Sequence, residues 1–206
     1  MSGPRLPTYG VALTVTAVTY NLCHHVGSLP DGLGGAGHGT RVADWLDLAA
    51  PFLVLVPALL ALVAARPDRA TYAVLVVGAL LYTQGHGIHL GANSIGNQAP
   101  GPTAHFWDET AGHLIWYAGV AVVVVALART MTGRQVRPVA VPLAVLTGVT
   151  WASNAVGADL AWAGGVPALA ALAYGVRGRA DQRLLVGIAG LAALVFLAGA
   201  FALGEA

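Results

Sequence analysis

Apolar residues dominate seven stretches of this chain, at about 9–27, 43–65, 69–95, 103–129, 138–157, 159–176 and 182–204. Each approaches the roughly 20 apolar residues that a helix needs to cross a bilayer. Pro, Gly and charge punctuate them, in "ARPDRA", "GNQAPGPT", "RTMTGRQVRP" and "RGRADQR". Thr103 follows Pro102 and is placed to cap the fourth helix. The weakest break is "NAVGADLAWAGG", where Gly157 and Asp159 must form a tight turn. If they do not, seven spans become six. Arg5 precedes an apolar run, as in a secretion signal, but "YNLCHHVG" lacks a small-x-small cleavage site, so the first stretch reads as a retained helix. The pattern predicts an all-α fold: one polytopic transmembrane domain over residues 1–206, with seven helices.

Composition agrees. The chain is 57% hydrophobic and 9% charged, against roughly 25% charged in a soluble domain. Its net charge of +1 gives no reason to expect nucleic acid as a partner. One cysteine, Cys23, allows no internal disulfide. All ten basic residues are arginine, which excludes a retinal Schiff base and other lysine-based covalent chemistry. Arg5, Arg66, Arg69, Arg129, Arg134, Arg137, Arg177, Arg179 and Arg183 fall at one end of the stretches, and Arg41 alone at the other. Positive charge stays inside, which predicts a multi-pass cell-membrane protein with a cytoplasmic N-terminus and an external C-terminus. The last three stretches are rich in Ala and Gly and read as scaffold, since small residues let helix backbones approach.

The arginines give a ruler for depth. His86 lies roughly 17 residues from Arg69 and His113 roughly 16 from Arg129, near 25 Å at about 1.5 Å per residue. Asn21 and Asn154 sit at matching distances from Arg5 and Arg137. His24, Asp47, His89 and Glu109 lie about one turn further out. His86 and His89 share a helix face, as do Asp44 and Asp47. His105, Glu109 and His113 form an i, i+4, i+8 stripe with Asp108 beside it. A short loop makes the third and fourth helices antiparallel neighbours, so the two histidine faces can meet.

Ionisable groups inside a bilayer cost roughly 2.5–3.5 kcal/mol each. They persist when paired, hydrated or bound to something. Imidazole is the commonest metal ligand, and three His or carboxylate ligands with an open position describe catalytic zinc. The expected site is a divalent metal, zinc before iron, held by His86, His89 and His113, with His24 or Asp47 as a further ligand. Glu109 or Asp108 would act as general base. Asn21, Asn93, Asn154, His105 and Arg41 would orient ligands or touch substrate. His25 points away from His24, and His38 belongs to the glycine-rich loop "GSLPDGLGGAGHGTR", read as a flexible lid. That loop lacks the Lys-Ser/Thr of a phosphate-binding loop. Arg41 at its end is read as pairing with Asp44. Tyr20, Tyr82, Trp107, Trp116 and Trp151 are read as interface anchors or packing.

The function expected first is metal-dependent hydrolysis of a lipid or other apolar substrate, with membrane lipid as the surrounding partner. Alternatives are a di-iron or haem oxidoreductase, a metal or proton transporter or sensor, and a structural subunit. The Arg-end halves "VLVPALLALVAA" and "GVAVVVVALA" carry no ionisable side chain, which favours a half-membrane site over a conduit.

Seven helices with a histidine and aspartate cluster resemble, in architecture, the membrane metal hydrolases of the alkaline ceramidase and adiponectin-receptor type. The resemblance implies zinc, an activated water and amide or ester cleavage in a lipid. The chain departs from that pattern in two places. The last helix, "LLVGIAGLAALVFLAGAFALGEA", lacks the two metal histidines, and Tyr82 stands four residues before His86 where the family has serine.

Overall fold

The computed structural model describes residues 7–178 and 181–205; Arg5 and Arg179, which entered the orientation argument, lie outside them. Helix α1 (Tyr9–Cys23) starts at Thr8, whose side chain accepts from the Val11 N–H. The chain then passes through two 3-10 turns, Val26–Ser28 and Pro30–Leu33, and a small antiparallel ribbon, β1 (Gly35–Gly37) with β2 (Thr40–Arg41). The glycine-rich loop therefore has defined structure. Its end is tied to the next hairpin by Gln98, which donates to the Gly39 carbonyl at 3.1 Å.

Two helices follow almost in line, α2 (Val42–Asp47) and α3 (Ala50–Ala65), with a bend at Leu48 and Ala49. Asp68 caps α4 (Arg69–Gln98) by accepting from the Thr71 N–H at 2.8 Å. The next segment is compound: α5 (Pro102–His105), a π-helical stretch (Phe106–Gly112) and α6 (His113–Arg129). The chain ends in α7 (Ala140–Gly157), α8 (Ala161–Val176) and α9 (Arg183–Leu203). The weak break does form a turn: Asp159 takes a left-handed φ of 54°, and Trp151 Nε1 donates across it to Gly164 O at 2.9 Å.

Among the described residues, five helices are long and apolar enough to cross a membrane: Val42–Ala65, Arg69–Gln98, Pro102–Arg129, Ala140–Gly157 and Arg183–Leu203. Helices α1 and α8, with 15 and 16 residues, are shorter than expected. At about 1.5 Å per residue they reach only about 22–24 Å, against a hydrocarbon core of about 30 Å. Large apolar side chains face outward around the bundle, including Leu80, Val195 and Phe201 at 66%, 65% and 76% exposure. That exterior suits lipid rather than water.

Helix α4 packs along α6, α1 packs between α3 and α7, and α9 packs against α7 and α8. Glycine sets the closest approaches. A Cβ on Gly85 would strike the Trp116 backbone, and one on Gly119 would strike that of Tyr82. Gly148 meets the Ala189 carbonyl, and Gly175 meets Gly187. The Gly85 and Gly119 contacts fix α4 against α6 beside the histidines, and the Gly148 and Gly175 contacts fix α9 against α7 and α8.

Polar clasps close the arginine end. Arg129 donates to Thr71 Oγ1 at 2.8 Å and Asp68 Oδ2 at 3.2 Å, and Arg134 lies 4.0 Å over the Tyr9 ring. Asp181 accepts from Arg183 Nε at 2.9 Å and the Gly133 N–H at 3.0 Å. The Arg183 side chain, then the Gly133 N–H, pull the Asp181 carboxyl down to about 2. A depressed carboxylate pKa stabilises the fold above the unfolded value, near 3.9, and that contribution disappears as pH falls through the folded value. Thermal unfolding should therefore separate the wild type from Asp181→Asn at neutral pH, and the gap should close between about pH 4 and pH 2.

Candidate metal centre

His89 on α4, Asp108 in the π-helical stretch and His113 at the start of α6 converge. Each offers one donor atom, and the three atoms lie within 4.8 Å of one another. The local backbone explains why. In an α-helix, residues five apart are about 140° apart around the axis. In the π register, hydrogen bonds run i→i+5, so Asp108 and His113 come to one side. The His105–Glu109–His113 stripe expected for an α-helix is correspondingly broken, and His105 is exposed. Gly112 lets α4 in: a Cβ there would sit 2.6 Å from Trp107 O and 2.8 Å from His89 N.

Hydrogen bonds set the imidazole tautomers. A backbone carbonyl can only accept, so a ring nitrogen paired with one must carry the proton. His113 Nδ1 donates to the Asp108 carbonyl at 2.8 Å, which leaves Nε2 as a lone pair. This is the usual bracing of a metal-binding histidine. His89 Nδ1 and Asp108 Oδ1 approach to 2.6 Å, yet neither completes a directional hydrogen bond. The contact sets the two side chains against each other, and both atoms are buried. Glu109 stands beside the set, with Oε2 3.7 Å from His113 Nδ1.

The other expected ligands are held differently. His86, 2% exposed, donates Nε2–H to the Asp47 carbonyl at 3.1 Å, and its Nδ1 has no partner. His24 is fully paired: Nδ1 donates to Tyr20 O at 2.8 Å, and Nε2 faces the Tyr82 hydroxyl at 2.9 Å. With Nδ1 protonated, Nε2 accepts from Tyr82. Asp47 approaches His86 Nε2 to 3.4 Å through Oδ1 and lies outside the converging set. The donors that meet are therefore His89, Asp108 and His113 rather than His86, His89 and His113. Asp108, expected as a base, is one of the three residues placed so that they could hold an ion.

Trp116 is the hub. Its ring lies 5.1, 5.1, 5.6 and 5.2 Å from those of His24, His86, His89 and His113. It is 4% exposed. The packing role expected of Trp116 is what the structure shows, and its place three residues after His113 puts both on one helix face.

A cavity of about 350 Å³ opens beside these groups. His24, Asp47, His89, Glu109, His113 and Trp116 line one part of it; Arg41, Asp44, Asn93 and Asn97 line another; Ser153 and Asn154 close it from α7. Asn97 and Ser153 are wall residues that the sequence reading did not single out. Asn93 Oδ1 accepts from Arg41 at 3.2 Å and from Asn97 at 2.7 Å, and Asn154 donates to the Thr150 carbonyl at 2.7 Å. Arg41 makes its expected pair with Asp44, at 2.7 Å. Asn21 instead joins α1 to α7 through Thr147 and Thr150, at 3.3 and 2.9 Å, outside the cavity. His25 is at the wall with Nε2 3.3 Å from Thr150 Oγ1, and His38 is exposed on the ribbon. A larger groove of about 630 Å³ runs along Ile88, Ala92, Ile95 and Trp107. It carries no ionisable side chain, whereas the smaller cavity is lined by histidines and carboxylates.

Two imidazoles and one carboxylate fit a divalent cation. The same donor set serves catalytic zinc and non-haem iron. Comparison with protein-family models, with curated proteins and with solved structures finds no match for this chain.

Proposed function

We propose that this chain is a metal-dependent membrane hydrolase, with zinc held by His89, Asp108 and His113. The observation that carries this reading is the convergence of those three donors on a polar cavity, with Glu109 alongside. A divalent ion held by these three residues would supply Lewis acidity toward a water and a carbonyl. Glu109 takes the proton from the attacking water and returns it to the leaving group. The Asp108 carbonyl holds His113 in the tautomer that binds metal, and Trp116 seals the floor against water from the arginine end. Substrate is a lipid or another apolar molecule whose polar part enters the cavity. In this reading α1 and α8 complete seven spans, and the arginine end is cytoplasmic in the cell membrane.

Glu109→Gln tests the base. Metal-loaded protein assayed against a panel of ester and amide lipids should lose about 10²–10⁴-fold in kcat, with metal content unchanged. Equal rates would remove Glu109 from the chemistry. The donor set itself also admits iron. Purified protein with a visible absorption band that follows its iron content would replace hydrolysis with oxidative chemistry.

A further inference from the structure

The cavity has a charge balance that selects among ligands. Its one arginine is already occupied: Arg41 donates to Asp44 Oδ1 through Nε at 3.0 Å and Nη2 at 2.7 Å. Asp47 is different. It lines the same cavity and is 8% exposed, and among the described residues no arginine lies within ion-pair distance of it. Its neighbour His86 directs its Nε2–H to the Asp47 carbonyl at 3.1 Å and lies 3.4 Å from Oδ1. A largely buried carboxylate with no permanently charged cation beside it is disfavoured. Trp116 lines the same cavity, and its buried indole N–H has no hydrogen-bond partner among the described residues. Buried donors of this kind are nearly always paired.

We infer that the polar end of the substrate carries an ammonium group that pairs with Asp47, and an oxygen that accepts from Trp116 Nε1–H. The inference rests on the metal-centre reading and names the substrate class for it. A cavity of about 350 Å³ takes a short amino-alcohol or amino-amide head. Phosphate and carboxylate heads meet Asp47 and Glu109, with Arg41 neutralised by Asp44.

Cobalt-loaded protein in a maltoside detergent provides the test, with aminopropanol, propanediol and hydroxypropionate as probes of matched size. Visible cobalt bands report the metal site, and titration calorimetry reports binding. Aminopropanol should bind about tenfold or more tightly than either other probe, as a charge-assisted contact implies. Asp47→Asn should abolish that preference with the cobalt bands intact. Equal or tighter binding of propanediol or hydroxypropionate by the wild type, with the bands intact, overturns this inference alone. So does a preference that survives Asp47→Asn. If that variant does not fold, the wild-type ranking decides. Absent cobalt bands overturn the metal-centre reading instead, and the calorimetric ranking still judges the ammonium site.

Discussion

Protein purified with His89→Ala should contain less than about a tenth of the metal found in the wild type. His89 supplies one of the three donors that converge among the described residues, and its removal leaves one imidazole and one carboxylate. Loss of a partner that merely orients a ligand costs about 10–100-fold in metal affinity, so loss of the ligand itself costs more. The side chain is only 16% exposed, so its truncation also opens buried space. Two controls separate this from general damage. His38→Ala and His105→Ala alter exposed imidazoles and should keep full metal content. Added metal should also raise the unfolding temperature of the wild type. A ligand at 1,000 times its Kd stabilises by about 4 kcal/mol, and the His89→Ala protein should show almost none of that gain.

Trp116→Ala should be the most damaging single change in the molecule. Truncating a buried aromatic costs about 3–5 kcal/mol, and here four imidazoles rest on the ring that is removed. Chemical unfolding in detergent should show the lost stability, and metal analysis should show the site emptied as His89 and His113 lose their support. Trp116→Phe keeps an aromatic wall and removes only the indole N–H. It should retain metal and most of the stability. If Trp116→Ala binds metal like the wild type, the indole is a bystander.

Much of this was legible in the sequence because membrane physics is written in long runs. Apolar length gave the helices, and Pro, Gly and Arg gave their ends. The α4–α6 pairing followed from a short loop, and the polar layer from counting back to Arg69 and Arg129. Three things were hidden. The lengths of α1 and α8 depend on where turns tighten, at Cys23 and around Asp159, and hydropathy does not register that. The π-helical stretch at Phe106–Gly112 is a change of hydrogen-bond register, invisible to a ruler that assumes 3.6 residues per turn. It brought Asp108 beside His89 and His113 and left His105, expected to orient ligands or touch substrate, exposed. Imidazole direction was the third. The His24 and His86 rings lie 6.2 Å apart, but Tyr82 and the Asp47 carbonyl decide which of their nitrogens remain free.

X-ray absorption at the metal edge, on purified protein, tests the central claim most directly. Two imidazoles and a carboxylate should give one ion per chain with only nitrogen and oxygen neighbours at about 2.0–2.2 Å, and His89→Ala and His113→Ala should each abolish the signal. A chain that takes up no ion, a sulfur neighbour from Cys23, or a spectrum unchanged by both variants would contradict the account.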